Sequence, residues 1–369
     1  MTTPKILLMG CGGIGGVMAA KLREQGTELS IVTHNPTIAE AVNRRGLVVR
    51  DENREHVVPA RAAVTLADVT GPFDFVFLAT QPPQVEEAAH AAQTALAPGG
   101  AMVCFQNGLC EQRVAAIAGA DRTLGAIVAW GGSMLEPGVY ERTSEGGFVV
   151  GRLDGAADAR IDRVRTVLDP IGPAEVTTNL RGARWSKLAI NCAISSLGTI
   201  GGERLGDLLR QRFVRRLGLE VMTEAVAVAR GAGVQLEKVS GTLDLNWIAL
   251  TPADVSGPGS PSLLAKHAVL LAVGAKYRRL RSSMLVAIER GREPAVDFLN
   301  GEVVRGGRQL GIAVPVNQRV QDYIGAIWRR ERQPGLALLR AFYAESRSEA
   351  YAATAARYRP SAGDQPPAT

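Results

Sequence analysis

Residues 5 to 15 constrain this chain more than any other stretch. The run Lys5-Ile6-Leu7-Leu8-Met9 leads directly into Gly10-Cys11-Gly12-Gly13-Ile14-Gly15, and a helix-forming segment, Val17 to Gln25, follows. The spacing is G-x-G-x-x-G, and its position between a buried strand and a helix gives it meaning. Gly10 permits the tight turn, Gly12 lets backbone approach a pyrophosphate, and Gly15 lets helix and strand pack closely; the helix N-terminus attracts phosphate. With a second strand at Glu28 to Thr33, a dinucleotide site is expected over Gly10, Cys11, Gly12, Gly13, Ile14 and Gly15. The plainer alternative is a small-residue turn. The second strand ends Ile31-Val32-Thr33-His34-Asn35, without an Asp or Glu to take the ribose hydroxyls of NAD. NADP is therefore favoured, with His34 and Asn35, and Arg44 or Arg45 behind them, donating to the 2′-phosphate.

Further strands are expected at Leu47 to Arg50, Phe73 to Ala79, Ala101 to Gln106, Gly125 to Trp130 and Gly147 to Gly151. Helices fall between them at Ile38 to Arg45, Val85 to Leu96 and Arg160 to Leu168. Strands alternating with helices imply a parallel sheet with right-handed crossovers. From Trp185 the periodicity becomes helical: Trp185 to Ser196, Arg210 to Ala232, Ser262 to Gly274, Met284 to Arg290 and Val296 to Leu310. The fold class is thus α/β, with residues 1–178 a dinucleotide-binding parallel-sheet domain and 179–335 an all-helical substrate domain. Residues 336–369 add one helix, Leu336 to Ala356, and a frayed tail after Arg357. Between Gln235 and Ser262, Thr251-Pro252 and Ser256-Gly257-Pro258-Gly259-Ser260-Pro261 mark a loop, a connector or a cover over a site.

Hydrophobic residues at 46% and charged residues at 21% exclude a disordered or repetitive scaffold. The net charge of +6 and pI near 9.3 raise nucleic acid as a partner, but the basic residues are dispersed. The densest run, Lys276-Tyr277-Arg278-Arg279-Leu280-Arg281, reads as a solvated helix face, and no nucleic-acid partner is expected. Cys11, Cys104, Cys110 and Cys192 form no CxxC pair, and the four histidines no HxxxH, so no metal site is expected. The patterned glycines argue against a signal peptide, and no stretch of 18 apolar residues exists, so a cytoplasmic protein without a membrane partner is expected.

Lys187 and Asn191, in Trp185-Ser186-Lys187-Leu188-Ala189-Ile190-Asn191-Cys192, lie four apart on one helix face among apolar neighbours. A partly desolvated ammonium there, its pKa lowered, can protonate the alkoxide formed when hydride reaches a carbonyl. Read alone, such a lysine is more often solvated.

The chain resembles the ketopantoate reductase (2-dehydropantoate 2-reductase) family over roughly residues 5 to 325. The resemblance rests on Gly10 to Gly15, Gln106-Asn107-Gly108, Arg184 to Cys192, Ser282-Ser283-Met284-Leu285, Asp297-Phe298-Leu299-Asn300-Gly301 and Gly311-Ile312-Ala313-Val314-Pro315. It implies a Rossmann-type NADPH domain followed by a helical domain. It also implies Lys187 as general acid, Asn191 and Ser283 as substrate ligands, and Asn107 between nicotinamide and a small-molecule carbonyl substrate. The loop Trp130-Gly131-Gly132, with Thr80 and Gln81, would lie near the cofactor, and Asn300 would support the pocket or pack a helix.

Four positions depart from the family pattern: Gln81 replaces a lysine, Ser195 an asparagine on the substrate side, Leu205 a polar contact, and Ala295 an acidic residue. Each lost partner weakens a small polar 2-oxo acid by about 1 to 3 kcal/mol. An insertion of roughly 20 residues within Leu236 to Lys276 would alter a lid. The reading is an NADPH-dependent reductase of a 2-oxo acid such as ketopantoate. Its alternatives are the same chemistry on a bulkier or less polar ketone, imine or alcohol, and a non-catalytic NADP-binding protein. A homodimer through the helical region is a further expectation.

Overall fold

The computed structural model describes residues 3–51, 54–238, 243–255 and 260–357. The expected loop residues Ser256-Gly257-Pro258-Gly259 and the tail from residue 358 lie outside them. The chain divides into two compact units at Arg184 and Trp185, where the sequence placed the change near residue 178.

In the first unit the strands are β1 (Ile6–Met9), β2 (Leu29–Val32), β3 (Leu47–Asp51), β4 (Arg54–Val58), β5 (Ala62–Ala63), β6 (Phe73–Leu78), β7 (Leu96–Cys104), β8 (Thr123–Val128), β9 (Gly131–Glu136), β10 (Val139–Ser144), β11 (Phe148–Gly151) and β12 (Ala174–Val176). The helices are α1 (Gly13–Glu24), α2 (Pro36–Arg45), α3 (Val85–Ala92), α4 (Cys110–Ala118) and α5 (Ala159–Leu168). Eight strands form one sheet in the order β12-β11-β8-β7-β6-β1-β2-β5. All neighbours run parallel except β8 and β11. Each residue of β1 is at most 1% exposed, as a strand covered on both faces must be. The order reverses at β1, between β6 and β2, and in such sheets that switch point opens a crevice beyond the strand ends.

One expectation fails instructively. Leu47 to Arg50 is a strand, but it leaves the main sheet and joins β4, β10 and β9 in a second sheet of order β4-β3-β10-β9. No helix intervenes between β3 and β4, so they form an antiparallel hairpin instead of a crossover. The helix expected to reach Leu96 ends at Ala92 in a 3₁₀ turn, and Leu96 opens β7.

The second unit comprises most of α6 (Leu180–Gly201) with α7 (Leu205–Arg210), α8 (Arg212–Gly231), α9 (Leu245–Ile248), α10 (Pro252–Val255), α11 (Pro261–Lys276), α12 (Ser283–Glu289), α13 (Asn300–Leu310), α14 (Pro315–Trp328) and α15 (Leu336–Arg357). The expected helix Arg210 to Ala232 is in fact two, broken at an extended Gln211. The Arg215 guanidinium bridges the break by donating to the carbonyls of Leu209 (2.6 Å) and Arg210 (2.9 Å). Val296 to Leu310 is likewise a 3₁₀ turn, Ala295–Phe298, followed by α13. Helix α14 was not expected at all. Pro315 opens it, and the Glu224 carboxylate of α8 accepts from the Val316 (3.0 Å) and Asn317 (2.8 Å) amides, a cap supplied from 92 residues away.

The segment from α10 to α11 is tied down by a buried ion pair. Lys266 of α11, 1% exposed, donates to Asp254 of α10 and to the Ala249 carbonyl (2.7 Å). Burial pushes Asp254 up, but its bonds from Lys266, Ser260 and Thr251 outweigh that and hold it at about 2. Next to it, burial and then Arg215, Arg212 and Arg216 hold the His267 imidazole down at about 4. As pH falls below about 6.5 the unfolded chain takes up the His267 proton while the folded chain does not. Stability is therefore expected to decline by about 2 to 3 kcal/mol between pH 6.5 and 4. Urea denaturation of the native chain and of His267→Gln across this window tests it: the variant's slope should be flatter, and an unchanged slope would contradict the assignment. The Asp254 contribution is lost only lower, as pH falls from about 4 to 2.

Candidate active site

The glycine loop has the local geometry its spacing predicts. Gly10 has φ of +101°, and a Cβ there would stand 2.8 Å from the Ala79–Thr80 backbone. A Cβ on Gly15 would stand 2.1 Å from the Gly10 carbonyl, so helix and loop touch. At Gly12 a Cβ would meet nothing within 4 Å. That open space faces the first turn of α1, which carries no acidic residue. Free amides at a helix N-terminus beside an open backbone fit a pyrophosphate.

Cys11 is corrected in one respect. Its side chain is 1% exposed and meets the Tyr140 hydroxyl at 3.1 Å, and burial pushes the thiol up to about 11. Only its backbone is available to a ligand. Tyr140 also donates to the Cys11 carbonyl (3.1 Å), so a strand of the second sheet clamps the loop. Sequence reasoning missed Tyr140, because nothing local to residue 140 announces a contact 129 residues away. Trp130-Gly131-Gly132 is not a loop, since Gly131 opens β9. It does lie against the glycine loop: a Cβ on Gly13 would stand 2.3 Å from the Gly132 carbonyl.

At the end of β2, His34 is exposed, and its Nδ1 lies 3.8 Å from Glu87 of α3. Asn35 caps α2 through Oδ1, accepting from Thr37 (3.0 Å) and Ile38 (3.4 Å). Arg45 is engaged with Glu136 and the Pro137 carbonyl, while Arg44 is exposed at the end of α2. Thr80 accepts from Gln106 (3.1 Å), while Gln81 and Asn107 are exposed at the ends of β6 and β7.

At the end of β7 sits a buried ion pair that the sequence did not announce. Arg184, 2% exposed, pairs with buried Glu111 and donates to the carbonyls of Gln106 (2.9 Å) and Cys104 (2.8 Å). It satisfies the strand-end acceptors and fixes the segment that presents Asn107. Replacing Arg184 by Ala would strand the Glu111 charge, and a loss of about 3 to 5 kcal/mol in urea denaturation is expected. A loss below about 1 kcal/mol would show the pair to be dispensable.

The second unit holds the other half of the residues. From Gly182 to Gly201 every position of α6 is buried except Lys187, Ile190, Asn191, Ile194 and Ser195. These five recur at helical spacing as one half-open stripe, a polar column Lys187–Asn191–Ser195 edged by two isoleucines. The Asn191 Nδ2 is buried with no hydrogen-bond partner. Ser282, which caps α12, bonds Thr199 (2.7 Å) and donates to the Ser195 carbonyl (2.7 Å). It thereby brings exposed Ser283 to the foot of the stripe. Gly198 makes this approach feasible, because a Cβ there would already stand 3.0 Å from that of Ser282.

Asn300 is fully buried behind α6, accepting from Ser196 (2.6 Å) and donating to Asn317 (2.8 Å), so it supports the helix from within. Leu205 is 3% exposed and packs as core. Ala295 is half-buried, and Asp297 is exposed and bound to Gln321 (2.6 Å), so it does not replace the missing acid.

Comparison with known proteins agrees with both halves. Residues 6–155 match the family described as ketopantoate reductase PanE/ApbA, and residues 179–327 its C-terminal counterpart. The chain is 24% identical to the 2-dehydropantoate 2-reductase of Pyrococcus horikoshii, over 85% of this chain and 94% of that one. Among solved structures, a PanE/ApbA family ketopantoate reductase from Ralstonia eutropha JMP134 aligns with a TM-score of 0.73 at 25% identity, covering 89% of this chain and 100% of that one. A D-mandelate dehydrogenase bound to NADH and anilino(oxo)acetate aligns at 0.74 and 17% identity, covering 88% and 99%, and shares the fold.

Fold and relatives define an NAD(P)-dependent oxidoreductase acting on CH–OH groups. More particularly, the chain belongs to the ketopantoate reductase family. No helix among the described residues is long and apolar enough to cross a membrane.

Proposed function

We propose that this protein reduces the carbonyl of a 2-oxo acid with NADPH, on a substrate less polar than ketopantoate. The observation that carries this reading is the half-open stripe of α6. It pairs an ammonium, Lys187, with a buried amide donor, Asn191, that no protein group satisfies. A buried unsatisfied donor costs about 1 to 3 kcal/mol, which a carboxylate or carbonyl oxygen of a substrate would recover.

NADPH, when bound, supplies the hydride. Gly12 and the first amides of α1 would hold its pyrophosphate; His34, Asn35 and Arg44 would face its 2′-phosphate. Lys187 would donate the proton to the alkoxide oxygen, and Asn191 and Ser283 would orient the acid. Ile190 and Ile194 on the stripe, with Ala295 in place of an acid, favour a bulkier, less polar 2-oxo acid or ketone.

Asn191→Ala tests the substrate role. It should raise KM for the preferred 2-oxo acid by about tenfold to a hundredfold, at about 1 to 3 kcal/mol per lost bond, and leave NADPH affinity unchanged. An unchanged KM would remove Asn191 from the site.

A further inference from the structure

The glycine loop carries more glycines than its motif requires. Gly13 and Gly16 fall outside the three motif positions, and both meet the second sheet. A Cβ on Gly132 of β9 would stand 2.9 Å from the Gly13 carbonyl oxygen, and a Cβ on Gly16 would overlap the Tyr140 ring of β10. Strands β9 and β10 thus press on α1 so closely that only glycine fits on the loop's side. Tyr140 lies in this contact and is fully buried.

The carbonyl and the thiol of Cys11 both end on the Tyr140 hydroxyl. That hydroxyl has one proton and donates it to the carbonyl (3.1 Å), so in the contact with the thiol, also 3.1 Å, the S–H is the donor. Burial pushes the phenol well above its ordinary value, and Tyr140 stays a neutral donor. A peptide bond is planar and trans, with its C=O and N–H pointing in opposite directions. Holding the Cys11 carbonyl to Tyr140 therefore turns the Gly12 N–H the other way, out of the second sheet. Among the described residues nothing accepts that N–H. Gly12 is the extended N-cap of α1, with φ −81° and ψ −163°, and it offers no side chain to the free amides that follow it.

With a glycine on either side, the Cys11 backbone has little steric preference of its own to decide which way the Cys11–Gly12 peptide faces. Flipped, that peptide would present a carbonyl oxygen to a phosphate and repel it. We propose that Tyr140 is a positioning residue for the dinucleotide: through the Cys11 carbonyl it aims the Gly12 amide at the pyrophosphate. The proposal rests on the reading that the pyrophosphate lies at Gly12. It gives the second sheet, which stands apart from the parallel sheet of the cofactor fold, a part in cofactor binding.

Tyr140→Phe keeps the ring against Gly16 and removes only the hydroxyl. Calorimetric titration of the full chain should show the dissociation constants for NADPH, NADH and ADP-ribose, which share the pyrophosphate, each raised about tenfold, the worth of a hydrogen bond to a charged group. The constant for adenosine, which has no phosphate and is measured by competition, should stay within about twofold. A merely structural role for Tyr140 would weaken all four ligands alike. Gly16→Ala, whose Cβ displaces the ring, should weaken ADP-ribose to a similar extent in the native chain but add less than about twofold to Tyr140→Phe. Unchanged ADP-ribose affinity in Tyr140→Phe would overturn the proposal, as would an equal loss for adenosine or full additivity of the two substitutions. A native chain that binds neither ADP-ribose nor NADPH would end the reading of the loop as a pyrophosphate site, and the proposal with it.

Discussion

Lys187→Ala is expected to lower turnover of the preferred carbonyl substrate by about two to four orders of magnitude, the range that a positioned general acid contributes. NADPH affinity should stay within about twofold of the native value, because Lys187 belongs to the helical unit and the glycine loop to the other. Lys187 lies in the half-open stripe of an otherwise buried helix, so its truncation removes no core side chain, and the melting temperature should hardly move. A structural lysine would give the opposite pattern: lower stability and preserved rate per folded molecule. Lys187→Arg refines the test. It keeps the charge but holds its proton far more tightly, so binding should persist while the rate stays low. Turnover near the native level in the alanine variant would end the proposed mechanism.

Gly12→Val carries the second large effect. A Cβ at Gly12 meets nothing within 4 Å, so the valine side chain enters open space without disturbing the fold. That space is where a pyrophosphate would lie against the loop. NADPH affinity should fall at least a hundredfold, measured by quenching of protein fluorescence, with thermal stability unchanged. Gly15→Ala is the contrast, because its Cβ would stand 2.1 Å from the Gly10 carbonyl. That variant should lose stability first and cofactor binding only as a consequence. Native affinity in Gly12→Val would place the cofactor elsewhere.

What was legible in the sequence was local. Gly10 and Gly15 make the tight turn and the close helix contact their spacing assigns, and Gly12 leaves open space beside the loop; the parallel core β1, β2, β6, β7 and β8 follows from short apolar runs. The Lys187–Asn191 face was legible too, since positions four apart must share a helix face. What escaped reading depends on distant partners. Helix α14 is capped by Glu224 of another helix, so no Ser, Thr, Asp or Asn before Pro315 announces it. The break at Gln211 is held by Arg215, and a single extended residue leaves no mark on apolar periodicity.

The second sheet escaped for a related reason. Strands β9 and β10 are only partly buried and rich in serine, threonine and charge, and β3 looks like any strand of an alternating sheet until its partners are known. Tyr140 on the glycine loop, Ser282 on α6 and Arg184 on Glu111 are all contacts of this kind. Arg184 and Ser282 do fall in family-like segments, but nothing local to any of the three residues names its distant partner. Asn35 shows a residue type read for one role and found in another, since its Oδ1 serves the first turn of α2.

The most direct test of the central claim is the loss of NADPH absorbance when the purified chain is given a panel of 2-oxo acids: ketopantoate, branched aliphatic and aryl members, with simple bulky ketones alongside and NADH as the alternative cofactor. The expected result is turnover of at least one 2-oxo acid with NADPH, the larger, less polar members exceeding ketopantoate. Tight NADPH binding without turnover of any member would contradict the account and leave a cofactor-binding protein without this activity.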